Sequence, residues 1–364
     1  MKVIHINGYF MNEMMYQENY FMQALPLVGI KSYMISGKND FRLPHNKKNF
    51  THSKKVERYH NSIIIRVNHI FELVNKLVFF IPLINIFRRI NPEFIFFHGV
   101  SPNIIYGLIY KIINPKVSLQ IDFHTGYANS GKSKFSKIFH FFNRLLLKIS
   151  SSSFDRYFCV APEFKEFANR EYKIPLDDLE ILPLPGIYYE DEQYEVKRNR
   201  FRERYNVSSS LIFIHAGKMP QDKETRIVLE AFHNIKNKNI KLFLCGSAHE
   251  EFKEEIQKYL DKDERIKYLG WMSYEDLSDA FCGGDILLQP GSLSQVFIDA
   301  ICCRNFIILD NTPQGIFLTN HGNGLLSERK LSDVKNKIIE SISFFDSNDA
   351  QKKLKEVALE YDYK

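Results

Sequence analysis

The sequence predicts an α/β protein made of two Rossmann-like, doubly wound, parallel-sheet domains. Three observations predict it. Short runs that are apolar throughout alternate with amphipathic stretches along almost the whole chain, the pattern of strands buried on both faces and separated by helices. The alternation occurs in two blocks, on either side of a stretch rich in proline and mixed charge. A length of 364 residues suits two or three domains of ordinary size.

In the first block the expected strands are VIHI (3–6), KSYMIS (31–36), SIIIRV (62–67), FIFFH (94–98), VSLQIDF (117–123), RYFCVA (156–161) and LEILP (179–183). Helical stretches lie between most of them, for example 102–114 and 133–149. In the second block the strands are LIFIHAG (211–217), IKLFLCG (240–246), RIKYLG (265–270), DILLQPG (285–291) and NFIILD (305–310), with helices at 224–236, 249–260, 274–281 and 295–303. A hinge is expected in 183–199, which holds two prolines, a glycine and no clear period. The expected domains are 1–190 and 191–335, with 336–364 as a C-terminal helix, too polar to be a domain alone, packing back across both.

The five cysteines are Cys159, Cys245, Cys282, Cys302 and Cys303, with no C-x-x-C pair. They read as buried thiols acting as small hydrophobes, which suits a reducing cytoplasm and excludes a disulfide scaffold. The N-terminus MKVIHING reads directly as strand and loop, so no signal peptide is expected. The longest apolar run, 77–87, is broken by Pro82 and is too short to span a bilayer. Residues 1–180 carry 24 Lys+Arg against 14 Asp+Glu, or +10, and the remainder 25 against 29, or −4. A basic first half points to a phosphate-bearing or membrane-surface partner. Nucleic acid is not expected as a partner, for no helix-turn-helix, zinc finger or RNP pattern is present.

Ligands of open α/β sheets bind beyond the carboxyl ends of the strands, so the residues after each strand carry the candidates. After the first strand come Gly8, which suits close backbone approach, then Tyr16, Gln17 and Glu18, which can hydrogen-bond a polyol. An ordinary βα loop is the competing reading. Asp122 and His124 end the strand at 117–123 on one side of it, a carboxylate able to orient an imidazole or tune its pKa. A purely structural pair is the alternative. Gly126, Gly131, Lys132 and Ser133 match the phosphate loop G-x-x-x-x-G-K-[ST]. Against that match, Asp122 and His124 stand where such strands are apolar, and its partner strand, ending in Asp310, lies in the other half.

In the second half Gly217 ends a strand, Lys218 follows and Lys223 stands at a helix start. Two ammonium groups beside free helix N–H donors make a diphosphate site. Gly246 and Ser247 form a second close-approach loop, and Gly270, Trp271 and Met272 offer an apolar wall for a base, or a core tryptophan. The most specific signal is 285–303, a strand, a Gly/Ser-rich turn and a helix. The amides of 292–295, including Ser292, Ser294 and Gln295, would meet an anion, and Asp299 one turn on can accept both hydroxyls of a ribose. The Asp-x-Asp pair Asp261 and Asp263 reads as a solvated helix end rather than a metal site.

These second-half elements, in this order, resemble the nucleotide-sugar domain of GT-B glycosyltransferases of the large family 4 group (glycosyl transferases group 1). Lys218 stands where that group has Arg, Lys223 matches its Lys, Asp299-Ala300 matches the second Glu of its Glu-x7-Glu motif with the following Ala, and 301–326 resembles the segment after it. In the first half Gly8, Gly29 and His124 match a glycine loop, a helix-ending glycine and an active-site histidine. The resemblance spans about 1–345 and is strong over 211–326. The chain departs from the pattern at Gly291, where the group has its first Glu, a residue that contacts the donor sugar. That leaves the donor sugar and the stereochemical outcome open.

The resemblance implies two domains facing a central cleft and a hexosyltransferase-type reaction with a nucleotide-diphosphate sugar as donor substrate. It implies no cofactor and no bound metal, cationic side chains and a helix N-terminus stabilising the leaving diphosphate. Lys218 and Lys223 would hold the diphosphate and Asp299 the ribose; His124, supported by Asp122, would contact the donor sugar or shuttle a proton. The acceptor expected on the basic first half is a glycan or polyprenyl-diphosphate-linked precursor of a bacterial surface polysaccharide. Two stretches, 70–90 and 131–148, read either as segments lying on an anionic membrane or as core-facing helices. The expected location is the cytoplasm, peripheral at the inner membrane face. Two other classes stay open: a P-loop phosphotransferase using Lys132, and a catalytically inactive sugar-nucleotide binder.

Overall fold

Each of the twelve apolar runs forms a strand. The first unit runs β1 (Lys2–Ile6), α1 (Gln17–Leu27), β2 (Lys31–Gly37), β3 (Val56–Tyr59), β4 (Ser62–Val67), β5 (His69–Leu73), β6 (Leu77–Phe80), α2 (Ile84–Ile90), β7 (Phe94–His98), α3 (Ile104–Ile113), β8 (Ser118–Phe123), α4 (Lys134–Ser150), β9 (Arg156–Cys159), α5 (Pro162–Tyr172) and β10 (Leu179–Ile181). Its main sheet has the order β10-β9-β8-β7-β1-β2-β4-β3, parallel except for the β3–β4 edge pair. Strand order reverses between β1 and β7.

The second unit runs α6 (Asp191–Tyr205), β11 (Leu211–Ala216), α7 (Lys223–His233), β12 (Ile240–Cys245), α8 (Glu250–Lys262), β13 (Ile266–Gly270), α9 (Tyr274–Gly283), β14 (Ile286–Gln289), α10 (Gln295–Cys302), β15 (Phe306–Asp310), α11 (Pro313–Thr319), β16 (Gly324–Ser327), α12 (Leu331–Phe344) and α13 (Ala350–Glu360). Its sheet is parallel with the order β13-β12-β11-β14-β15-β16, and the reversal lies between β11 and β14. Alternate strand residues feed two cores. Ile212, Ile214, Phe243, Leu287 and Ile307 enter one, and Phe213, Leu242, Leu244, Ile286, Leu288 and Ile308 the other. Both faces of the sheet are therefore buried, which is why these strands are apolar at most positions.

The computed structural model describes residues 1–12, 14–39, 51–73, 77–127, 130, 134–219, 223–291, 294–347 and 349–363. The units are Met1–Pro183 and Leu184–Tyr363, so 184–190 and the C-terminal helices α12 and α13 lie in the second. All five cysteines are buried and unpaired, and burial pushes the Cys159 and Cys245 thiols up to about 12.

Two expectations are corrected. The hinge stretch contains most of α6, a helix with little apolar pattern. Tyr194 and Phe201 are its buried hydrophobics, and its other anchors are ionic: Arg198 and Arg202 grip Asp285 at 2.7 and 2.6 Å, and Lys197 and Arg200 each reach Asp279 at 2.9 Å. The stretch 70–90, expected either on a membrane surface or as a core-facing helix, forms the antiparallel β5–β6 pair followed by α2. Val78, Phe80, Leu83 and Phe87 are buried, because the hairpin closes over the end of the first sheet through Asn103, which bonds Phe80 N and Val78 O at 2.9 Å each.

Candidate active site

In both units the candidates lie at or beyond the carboxyl ends of strands at or near the order reversal, the side of a doubly wound sheet that binds ligands. Each unit is described by itself.

In the first unit, β7 ends in His98 and β8 carries Asp122, in register with it. Asp122 is fully buried. Its Oδ2 lies 2.9 Å from His98 Nδ1 and its Oδ1 3.1 Å from His124 Nε2, and the Gly99 N–H donates to Oδ1 at 3.1 Å. The other ring nitrogen of His98, Nε2, lies 3.0 Å from His5 Nδ1. His5 stacks between Phe21 and His98; its burial and the neighbouring His98 hold its pKa well below the ordinary imidazole value. His5, His98, Asp122 and His124 thus form one line from β1 across β7 to β8.

Burial alone would raise the Asp122 carboxyl, but the His124 and His98 charges and hydrogen bonds hold it below the usual carboxylate range. Burial disfavours the charge on His124, yet Asp122, helped by Glu18, lifts it to about 9. At neutral pH His124 is therefore an imidazolium, able to donate a proton or stabilise an anion. The folded value lies above the ordinary 6.5. The stability that this pair confers is present in full below pH 6.5 and is lost as pH rises through about 9. An NMR titration should find the His124 ring titrating near 9, and moving towards 6.5 in Asp122→Asn; a wild-type value of 6.5 contradicts the pairing.

Of the other first-unit candidates, Glu18 accepts a short hydrogen bond from Asn7 Nδ2, and its charge reaches His124. Tyr16 precedes α1, 41% exposed. Gly8 packs against Val78, whose Cγ2 would lie 3.3 Å from an added Cβ. The close approach expected there is thus made to protein. His98 and His5 were missed by sequence reasoning, because within an apolar run they look like core residues. Their spacing to Asp122 exists only across the sheet.

His98, Asp122 and His124 also form a group of possible metal ligands, their atoms within 4.8 Å of one another. The same atoms hold each other, so an ion would have to displace those contacts. Asp263 is tied to Arg265 at 2.6 Å and His233 at 3.1 Å, a structural use. In the phosphate-loop match, Gly126 packs on Phe164 and Asp310 pairs with Arg329; Gly131, Lys132 and Ser133 lie outside the described residues.

In the second unit, β11 runs into Gly217 at φ +114° and exposed Lys218. Gly246, at φ +147°, could carry no Cβ without striking the Gly217 carbonyl. The two loops cross so closely that glycine is required. Lys223 opens α7. His215 sets the position of that helix: its Nδ1 bonds the Leu288 carbonyl at 2.8 Å and its Nε2 bonds Thr225 Oγ1 at 3.0 Å. Ser294 caps α10, accepting from Val296 N at 3.4 Å. Asp299 is buried one turn inside α10. Gln295 Nε2 donates to it at 3.2 Å and to Pro185 O at 2.8 Å. Ser292 lies outside the described residues. Met272 is half-buried against the core, and Trp271, 41% exposed, is not a core residue.

Residues 210–343 match the family model of glycosyl transferases group 1, the family that the second half resembles. No curated protein sequence matches the chain. Solved structures share the fold over its full length. HepE of Anabaena, solved in complex with UDP, superimposes with a TM-score of 0.70 at 13% identity, covering 100% of this chain and 96% of that one. Sucrose-phosphate synthase of Thermosynechococcus elongatus gives 0.70 at 14%, covering 100% and 95%. WaaG, a glycosyltransferase involved in lipopolysaccharide biosynthesis, gives 0.58 at 12%, covering 99% and 95%. The fold is that of the GT-B glycosyltransferases.

Proposed function

We propose that the protein transfers a sugar from a nucleotide-diphosphate sugar to a glycan or lipid-linked acceptor of a surface polysaccharide. The observation that carries this reading is the carboxyl edge of the second sheet. There Lys218 follows β11, Lys223 opens α7 and the Ser294-capped α10 begins after β14, within the segment that matches the family model. HepE is solved with UDP and with UDP-glucose, which supports a nucleotide-sugar donor. Lys218, Lys223 and the first amides of α10 hold the diphosphate and offset the charge that develops on it as the glycosidic bond breaks. Asp299 accepts the ribose hydroxyls and Met272 borders the base. The His124 imidazolium, fixed by Asp122, supplies positive charge or a proton. No metal is required. A transfer assay with a panel of nucleotide sugars, with and without EDTA, tests this. Turnover should appear with at least one donor and survive chelation; hydrolysis of ATP with no sugar transfer favours the phosphotransferase instead.

We infer a membrane surface as the site of the acceptor. The helix α4 turns its apolar stripe outward: Ile138, Phe141, Phe142, Leu145 and Ile149 are 46–69% exposed, while His140 and Asn143 face inward. His140 bonds Ser130 and Tyr172, which accounts for the inverted orientation. Exposed Lys134, Lys137 and Lys148 lie on the same helix. On α3, Ile105, Ile109, Ile112 and Ile113 are exposed as well. An outward apolar stripe fringed by lysines suits an anionic bilayer surface. No helix among the described residues is long and apolar enough to cross a membrane. The protein should sediment with anionic vesicles at physiological salt, and Phe141→Ser with Phe142→Ser should weaken this about tenfold or more. No sedimentation of the wild type contradicts it.

A further inference from the structure

The second unit contains a carboxylate that the family pattern does not anticipate. Glu224 lies in the first turn of α7, and its side chain is 17% exposed. Its carboxyl group rests directly on Gly291, in the loop after β14. A Cβ added to Gly291 would lie 2.9 Å from Glu224 Cδ, and Oε2 would be nearer still. The carboxylate therefore occupies the space that any side chain at 291 would need. Its other oxygen, Oε1, is 2.9 Å from Arg329 Nη1, and the same guanidinium pairs through Nε with Asp310 at the end of β15. The bond between His215 and Thr225, at 3.0 Å, fixes the adjacent backbone of α7.

These contacts place an oriented carboxylate at the order reversal between β11 and β14, within the crevice region. A salt bridge needs no such seat, for an acid in a first helical turn is already favoured by the helix dipole on the surface. Here the loop after β14 gives up its side chain to admit the group. A carboxylate fixed by Arg beside a diphosphate site suits a polyol, since each oxygen can accept from a hydroxyl in a direction set by the protein.

We propose that Glu224, admitted by Gly291 and oriented by Arg329, binds hydroxyls of the donor's sugar and sets which sugar is transferred. This rests on the nucleotide-sugar reading and gives the carboxylate missing at position 291 a source elsewhere in the chain. Arg329 is a positioning residue.

The test compares wild type, Glu224→Gln and the exchange Glu224→Gly with Gly291→Glu, using calorimetry with UDP and kinetics with the donor the panel identifies. Glu224→Gln should lower kcat/KM about 10²-fold or more while UDP affinity changes less than about threefold, because UDP has no sugar to contact. The exchange, which returns the carboxylate to the same space from the other side, should recover about tenfold or more over Glu224→Gln, or alter the preferred sugar. Retained UDP binding shows that each variant is folded. Unchanged kcat/KM in Glu224→Gln overturns this assignment alone. A wild type that binds neither UDP nor any nucleotide sugar overturns the donor reading and this inference together.

Discussion

Replacing Asp285 by alanine is expected to cost the second unit about 3–5 kcal/mol. Asp285 is buried just before β14. Its carboxylate accepts from Arg198 at 2.7 Å, Arg202 at 2.6 Å and the Ile212 N–H at 2.8 Å. Arg202 also donates to the carbonyls of Gly283, Ser208 and Ser210, so in the variant it cannot swing into solvent without giving up these three partners. Removing the carboxylate leaves two guanidinium groups close together without a counter-charge, and the Ile212 amide of β11 without its acceptor. This contact ties α6 to the loop before β14, so the helix should lose protection first. Thermal melting followed by hydrogen exchange should show a lowered second-unit transition and lost protection over 191–205. A loss below about 1 kcal/mol would mean that solvent screens the cluster.

Replacing Asp122 by asparagine should lower transfer about 10²–10⁴-fold with nucleotide affinity unchanged. The amide keeps the shape but removes the charge that lifts His124 to about 9, so His124 becomes largely neutral above pH 7. His98 loses its anionic partner at 2.9 Å. The effect should depend on pH: the deficit narrows as pH falls below 6.5, where His124 regains its proton without help. A deficit that is constant from pH 5.5 to 8.5 assigns Asp122 a structural role only.

The fold was legible because its strands are buried on both faces, so each apolar run marked one. The stretch 285–303 likewise showed its helix start through Ser294. Two kinds of feature stayed hidden. One was α6, anchored by ion pairs and only two buried aromatics, which leave no apolar period. The other was the partnerships between separate elements: His5 with His98, Glu224 with Gly291, and Arg329 with Asp310. These residues are far apart in the chain, and only sheet register and the placement of α7 bring them together. Gly291 illustrates the limit. From the sequence it is a missing carboxylate; in the fold it is a seat for another.

The central claim is that the second unit grips a nucleoside diphosphate between Lys218, Lys223 and the start of α10. Calorimetry of the full chain with UDP, GDP and ADP, on wild type and on Lys218→Ala with Lys223→Ala, tests it most directly. One nucleotide should bind the wild type in the micromolar range, and the double variant should weaken it at least about 10²-fold, two charge-assisted contacts being lost. No heat with any nucleotide at millimolar concentration, or equal affinity in the double variant, would contradict it.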